Sequence, residues 1–150
     1  MTDRHDVHPH HLLRAVLADA DVRLVLASLG ADADDLRLTL DHLWLAASDT
    51  IDVEEVSALG IELGTVLAVL NPPHDAPPDW GGRRFATTTR DVLVAALANR
   101  ALQRDARTSG PDVLVALAGS KDRLVAGTFA AHGLRARDVR RHVERWGRRR

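Results

Sequence analysis

The sequence predicts an all-α protein. Apolar residues recur at the three- and four-residue spacing of amphipathic helices, and no segment keeps the alternation of a strand. Hydrophobic residues make up 45% of the chain but aromatic residues only 3%, so the core must consist mainly of Leu, Val and Ala, which favours close-packed helices. A chain of 150 residues fits one domain with one core.

Each helix is predicted from its apolar spacing and from an Asp, Ser or Pro near its first turn, as in "GADADD", "SDTIDVEE" and "SGPD". The predicted helices span 9–18, 22–29, 33–46, 53–59, 63–70, 87–105, 111–118, 122–132 and 136–147. The stretch "NPPHDAPPDWGGRR" at 71–84 contains four of the six prolines. It is predicted to be a linker between two helical halves.

An internal repeat relates the two halves. "LASLGADADDLRLTLDHL" (26–43) aligns without gaps with "FAAHGLRARDVRRHVERW" (129–146), which places Gly30 against Gly133. Each glycine is expected to end a helix in the left-handed conformation. A weaker third copy, with Gly60 in this role, lies at 56–70. We therefore predict a tandem pseudo-two-fold repeat of short helical hairpins. Its parts are repeat one (8–46), insert helices (52–70), the linker (71–84) and repeat two (85–147).

Several segments resemble the Clp N-terminal (Clp repeat) family of Clp-type unfoldases. "FATTTRDVLVAAL" (85–97) is similar to the opening of that family's second repeat, and "HHLLRAVL" and "PDVLVALA" resemble its T-E-H-L-L helix. "VEEVSALGIELGTVL" resembles an insert of stand-alone actinobacterial members. The resemblance spans nearly all of 8–146. It implies a helical module that binds substrates or adaptors and has no catalysis of its own.

The sequence departs from that family in three ways. Only Met1 to Val7 precede the "HHLL" helix, so the first helix of repeat one is expected to be missing. No G-x-x-x-x-G-K-[S/T] phosphate loop occurs, so AAA+ modules and ATP hydrolysis by that route are not expected. The glutamates with which the family holds phosphoarginine correspond to His10 and Pro111, and its following histidine to His11 and Asp112.

The resemblance also implies a candidate ligand groove. Phe85 aligns with an aromatic residue at the join between repeats, where actinobacterial domains of the family bind cyclic-peptide antibiotics. Arg90 takes the place of a lysine, Val94 replaces an acidic residue, and His11 completes the candidate set. Phe85 also fits a hydrophobic staple that packs on the first turn of its own helix. The sequence leaves both roles open.

A metal site and a hydrolase triad can also be assembled from this sequence, and each has a structural alternative. His8, His10 and His11 carry imidazoles that bind zinc or nickel, but a helix start at Pro9 is favoured because a structural zinc needs four ligands from separate elements. Ser109, His132 and Asp112 could form a hydrolase triad, yet no G-x-S-x-G turn or strand precedes any serine. We therefore predict no enzyme, no metal and no cofactor. The absence of cysteine excludes disulfides and thiolate sites.

The basic C-terminus, "RARDVRRHVERWGRRR", has two interpretations. Its arginines could contact nucleic-acid phosphates in a DNA-associated or regulatory protein. A solvated helix face, with Val139, Val143 and Trp146 turned inward, is favoured because no helix-turn-helix or aromatic platform accompanies the charge.

The predicted function is a non-enzymatic binding module. Its expected partners are a peptide, a protein such as a Clp protease component, or a cyclic-peptide-like small molecule, and not nucleic acid or membrane. The absence of a signal peptide and of a membrane-length apolar run favours the cytoplasm. Without the first helix, Leu12, Val16 and parts of 22–29 need another cover, which could be segment 53–70, a second copy or a partner protein. We expect segment 53–70 to pack near this hairpin, with a homodimer as the fallback, so a monomer or a homodimer is expected.

Overall fold

The computed structural model describes residues 7–47, 87–101 and 108–148, and these segments form seven helices without a strand. The helices are α1 (Pro9–Val16), α2 (Ala20–Ser28), α3 (Ala33–Ala47), α4 (Thr87–Ala101), α5 (Gly110–Ala118), α6 (Arg123–Ala131) and α7 (Ala136–Arg148). The all-α prediction is confirmed for these segments. Predicted helix ends agree with the observed ones to within two residues; the predicted end of α4 at 105 lies outside the described residues. The predicted insert helices (52–70), the linker (71–84) and Phe85 lie outside the described residues.

The helix starts follow from local side chains. Asp19 precedes α2 and accepts a hydrogen bond from the backbone N–H of Val22 at 3.0 Å. Asp122 precedes α6 and accepts from Val125 N–H at 3.1 Å. These carboxylates satisfy backbone donors that have no partner within the first turn of a helix.

The ends of α2 and α6 are also alike. Gly30 and Gly133 adopt positive φ values of 78° and 67°. The next residue then donates its N–H back to a carbonyl of the helix, at 2.9 Å in each case, as in a Schellman motif. The bonds are Ala31 N–H to Leu26 C=O and Leu134 N–H to Phe129 C=O. Both predicted left-handed glycines are thus confirmed.

The helices pack around α1 and α5, which contact each other. Helix α2 contacts α7, and α3 contacts α6, while α4 contacts both α5 and α1. The buried core is built chiefly from leucine and valine, as the composition predicts. Within the part of the chain given above, no helix is long and apolar enough to cross a membrane.

Two glycines allow close approaches between helices. A Cβ atom on Gly110 would lie 2.6 Å from Oδ2 of Asp19, so the start of α5 lies directly against the cap of α2. A Cβ atom on Gly127 would lie 3.2 Å from a methyl group of Leu43, where α6 packs on α3. Neither contact was predicted, because its two residues are far apart in the sequence.

The apolar face of α1 is covered. Leu12 and Val16 are fully buried, and α1 contacts α3, α4, α5 and α6. The segment predicted to cover this face, 53–70, lies outside the described residues, so that part stays a prediction. In α2, Val22, Val25 and Leu26 are buried, and Leu24, at 62%, is the one large apolar side chain of that helix that is exposed.

Candidate functional site

Two of the candidate groove residues lie on the exposed surface of α4. Arg90 and Val94 are both exposed, and Val94 keeps 64% of its accessible surface. Their four-residue spacing places them one turn apart on the same face of the helix. The helix itself contacts α1 of the first half and α5 of the second. Phe85 comes shortly before α4, outside the described residues.

His11 lies in the core, not on that surface. It is only 2% exposed, and its Nδ1 accepts the backbone N–H of His8 at 3.0 Å. The neutral ring therefore carries its proton on Nε2. Within the described segments, that buried atom has no hydrogen-bond partner. Burial, together with the nearby His10 and His8, lowers the pKa of His11 to about 3.

Asp112 occupies the corresponding position of α5. Its Oδ2 accepts the backbone N–H of Ser109 at 2.8 Å. His11 and Asp112 therefore have the same structural role. Each is the third residue of its helix, and its side chain accepts a hydrogen bond from the backbone N–H of the residue that precedes the helix. This shared role explains how an imidazole and a carboxylate can replace each other at matching positions of the two halves.

The two positions matched to the phosphoarginine glutamates differ from each other. The ring of His10 lies between His11, at a centroid distance of 4.1 Å, and Trp44, at 6.2 Å. Burial lowers the pKa of His10 to about 4, with a partly opposing effect from Asp122. Pro111 is buried in the first turn of α5. Neither position presents a carboxylate to a guanidinium group.

The three histidines at the start of α1 form a compact cluster. Their ring centroids are 4.1 to 5.8 Å apart. Nδ1 of His11 is already engaged by the backbone of His8, which leaves fewer nitrogens for a ligand. Over residues 7–47, 87–101 and 108–148, no group of three or more His, Cys, Asp or Glu side chains is arranged to hold a metal ion.

The structure separates the three residues of the possible hydrolase triad into two places. Ser109 Oγ donates to Asp112 Oδ2 at 3.0 Å, within the cap of α5. The ring Nε2 of His132, at the end of α6, is 2.8 Å from Oγ1 of Thr39 on α3. The serine hydroxyl is therefore hydrogen-bonded to Asp112, while the histidine ring is hydrogen-bonded to Thr39 on α3 and not to the serine.

Helix α7 presents a face of arginines. Val139 and Val143 are buried, whereas Arg137, Arg141 and Arg145 are exposed. The arginines follow the four-residue spacing of one helix face. The predicted basic face, with Val139 and Val143 turned inward, is confirmed.

Of the candidate residues named from the sequence, those exposed to a partner are Arg90 and Val94 on α4 and the arginines of α7. Leu38 and Leu45 of α3 and Leu24 of α2 are also exposed. The histidine cluster is largely enclosed, and the Ser109 and Asp112 side chains cap a helix. No protein-family model, curated protein or solved structure matches this chain.

Proposed function

We propose that this protein is a non-enzymatic tandem Clp-repeat module that binds a peptide segment, exposed on a protein partner or closed into a cyclic small molecule. The observation that carries the proposal is the exposure of Val94, at 64%, one turn from the exposed Arg90 on α4. A large apolar side chain beside a guanidinium group offers a ligand both an apolar contact and a charged hydrogen bond.

The tandem-repeat architecture is supported by equivalent features in the two halves. The caps at Asp19 and Asp122 match, as do the left-handed glycines Gly30 and Gly133. The packing is reciprocal as well, because α2 of the first half contacts α7 of the second and α3 contacts α6. A pseudo-two-fold axis between α1 and α5 would produce this pattern of contacts.

The position of α4 favours it as the binding element. It lies against α5 of its own half and against α1 of the other half. The hydroxyl of Thr89, on the buried side of α4, donates to the carbonyl of Val7 at 2.6 Å, which ties the start of the helix to the N-terminal segment. Sites between two halves of a fold are frequent binding places, because both halves contribute walls.

A titration of the ¹⁵N-labelled protein followed by NMR tests this function. The probes are a linear peptide rich in Leu and Phe and a head-to-tail cyclic heptapeptide of similar composition. Amide shifts are expected along α4 and at the adjoining ends of α1 and α5. Val94→Asp should weaken binding at least tenfold. Leu24→Asp, at an equally exposed apolar residue of α2, is the matched control and should leave the affinity unchanged.

Phe85→Ala gives a second measurement of the same groove. Loss of an aromatic anchor is expected to cost ~2 kcal/mol of binding free energy, about 30-fold in Kd, with the fold intact. Shifts that avoid α4, or equal losses from Val94→Asp and Leu24→Asp, would contradict the proposed site. Unfolding of Phe85→Ala at room temperature would assign Phe85 to the core. The comparison of Val94→Asp with Leu24→Asp would then decide whether α4 is the binding site.

A further inference from the structure

Helix α7 is divided into a buried apolar side and an exposed basic side. Val139 and Val143 are fully buried, where the helix contacts α5 and α2. Arg137, Arg141 and Arg145 form a row on the exposed side. With a rise of 1.5 Å per residue, neighbouring arginines of the row are about 6 Å apart along the helix axis, and the row spans about 12 Å.

The charge of this row is poorly neutralised. Arg140 pairs with Glu144 on the same helix at 3.4 Å. Arg137, Arg141 and Arg145 form no ion pair with any other residue that the structure describes. Arg135 is exposed just before the helix and adds to the same positive end of the molecule.

The two halves of the chain carry opposite charge. Residues 108–148 contain eight Lys and Arg against four Asp and Glu, a formal charge of +4. Residues 7–47 contain three Arg against six Asp, a formal charge of −3. The net charge of −1 for the whole chain therefore conceals one basic and one acidic segment. A polyanion is attracted to the basic segment and repelled by the acidic one.

We propose that the arginine face of α7 binds the phosphate backbone of double-stranded nucleic acid without sequence preference. A guanidinium group matches a phosphate with two parallel hydrogen bonds, and it stays charged at any physiological pH. The row presents several such groups on a rigid helix, so a chain of phosphates can be contacted at several points together. The phosphates repel the acidic first half of the chain, so the protein should bind with that half directed away from the nucleic acid.

The exposed side of α7 favours this partner over a membrane or an acidic protein. A helix that binds a bilayer inserts an apolar face, but the valines of α7 are buried against α5 and α2. A stable protein interface needs apolar or aromatic anchors, and between Arg137 and Arg145 the only apolar residues are those two buried valines. The exposed face also lacks Asn and Gln, which read adenine, so contacts to phosphate are expected to dominate.

Fluorescence anisotropy with a labelled 20-base-pair duplex of mixed sequence tests the proposal. A Kd on the order of 10⁻⁴ M or tighter is expected at low salt, as for sequence-independent binders. If three phosphates are neutralised, the slope of log K against log salt should be about −2.7, so raising NaCl from 50 to 200 mM should weaken binding about 40-fold. A second duplex with a scrambled sequence should bind equally well.

The triple variant Arg137→Gln, Arg141→Gln, Arg145→Gln should weaken binding at least tenfold and flatten the salt slope. The triple variant Arg37→Gln, Lys121→Gln, Arg123→Gln removes the same charge from α3 and from the start of α6, and it should bind within about threefold of the unchanged protein. Circular dichroism must show that both variants are folded.

Three results would overturn the proposal. They are no binding of the unchanged protein at 50 mM NaCl, equal losses in the two triple variants, and binding to phosphatidylserine vesicles or to polyglutamate in preference to the duplex. The proposal does not depend on the peptide groove, because none of the substituted arginines lies on α4.

Discussion

Nδ1 of His11 accepts the backbone N–H of His8 at 3.0 Å, so the first turn of α1 is closed by an imidazole that must be unprotonated on that atom. The ring of His10 lies 4.1 Å away, centroid to centroid, and Asp122 is the acidic group that acts on it. Adding a proton to either ring would place a charge in a largely buried cluster, and on His11 it would remove the acceptor of the cap.

The free energy of unfolding should therefore decrease with falling pH below about 6.5. The folded-state pKa values, about 4 for His10 and about 3 for His11, lie below the ordinary value of 6.5. As the pH drops, the unfolded chain therefore binds more protons than the folded one. The contribution of the two neutral rings to the free energy of unfolding is complete above pH 6.5 and is lost as the pH falls from 6.5 through the folded-state pKa values. Each ring contributes up to ~1.4 kcal/mol per pH unit within that range.

Urea unfolding at pH 7, 6 and 5 measures this slope. The double variant His10→Asn, His11→Asn should lose most of the dependence, because an amide does not titrate and its oxygen can still accept the cap hydrogen bond. His42→Asn, at an exposed position of α3, is the control and should keep the slope. Equal slopes in all three proteins would show that the cluster does not govern acid stability.

Replacement of Gly110 by alanine should destabilise the fold by about 1–3 kcal/mol. The added methyl group would come within 2.6 Å of Oδ2 of Asp19, and that oxygen is the cap of α2. Gly119→Ala is a matched control, because the nearest atoms to its Cβ are at 3.8 and 4.0 Å. Urea midpoints compare the two variants, and a loss at Gly119 as large as at Gly110 would refute a specific clash.

Alanine at Gly30 or Gly133 should cost about 1–2 kcal/mol, since both residues have positive φ and their surroundings leave room for a methyl group. The cost is conformational, so asparagine should be tolerated better than alanine at each position. Thermal unfolding of the four single variants would show this order. If alanine were neutral at one glycine and costly at the other, the two helix ends would not be energetically equivalent.

Free phosphoarginine should not bind measurably. The two matched positions carry His10, packed between His11 and Trp44, and the buried Pro111, so no carboxylate fork is present for the guanidinium. Isothermal titration calorimetry gives the answer, with inorganic phosphate titrated in parallel to correct for weak contacts at exposed arginines. Micromolar affinity for phosphoarginine above the phosphate background would contradict the expectation.

The sequence determined the helices of the described segments and how they begin and end. Asp19 and Asp122 accept hydrogen bonds from amides three residues later, and the turns at Gly30 and Gly133 are closed by bonds that span six residues, so these signals operate within two turns. The row of arginines on α7 can likewise be derived from spacing alone. Local hydrogen bonds depend on neighbours in the chain, and the printed sequence shows those neighbours directly.

Only the tertiary structure decided which side chains are enclosed. The sequence left open what covers Leu12 and Val16, and both are buried where α1 contacts α4, α5 and α6 from the other half of the chain. Burial near Trp44 of α3 lowers the pKa of His10, and Asp122, which precedes α6, partly opposes that effect. The need for glycine at position 110 depends on Asp19. Burial, pKa values and close approaches depend on which helices pack together, and the repeating apolar pattern is compatible with many such arrangements.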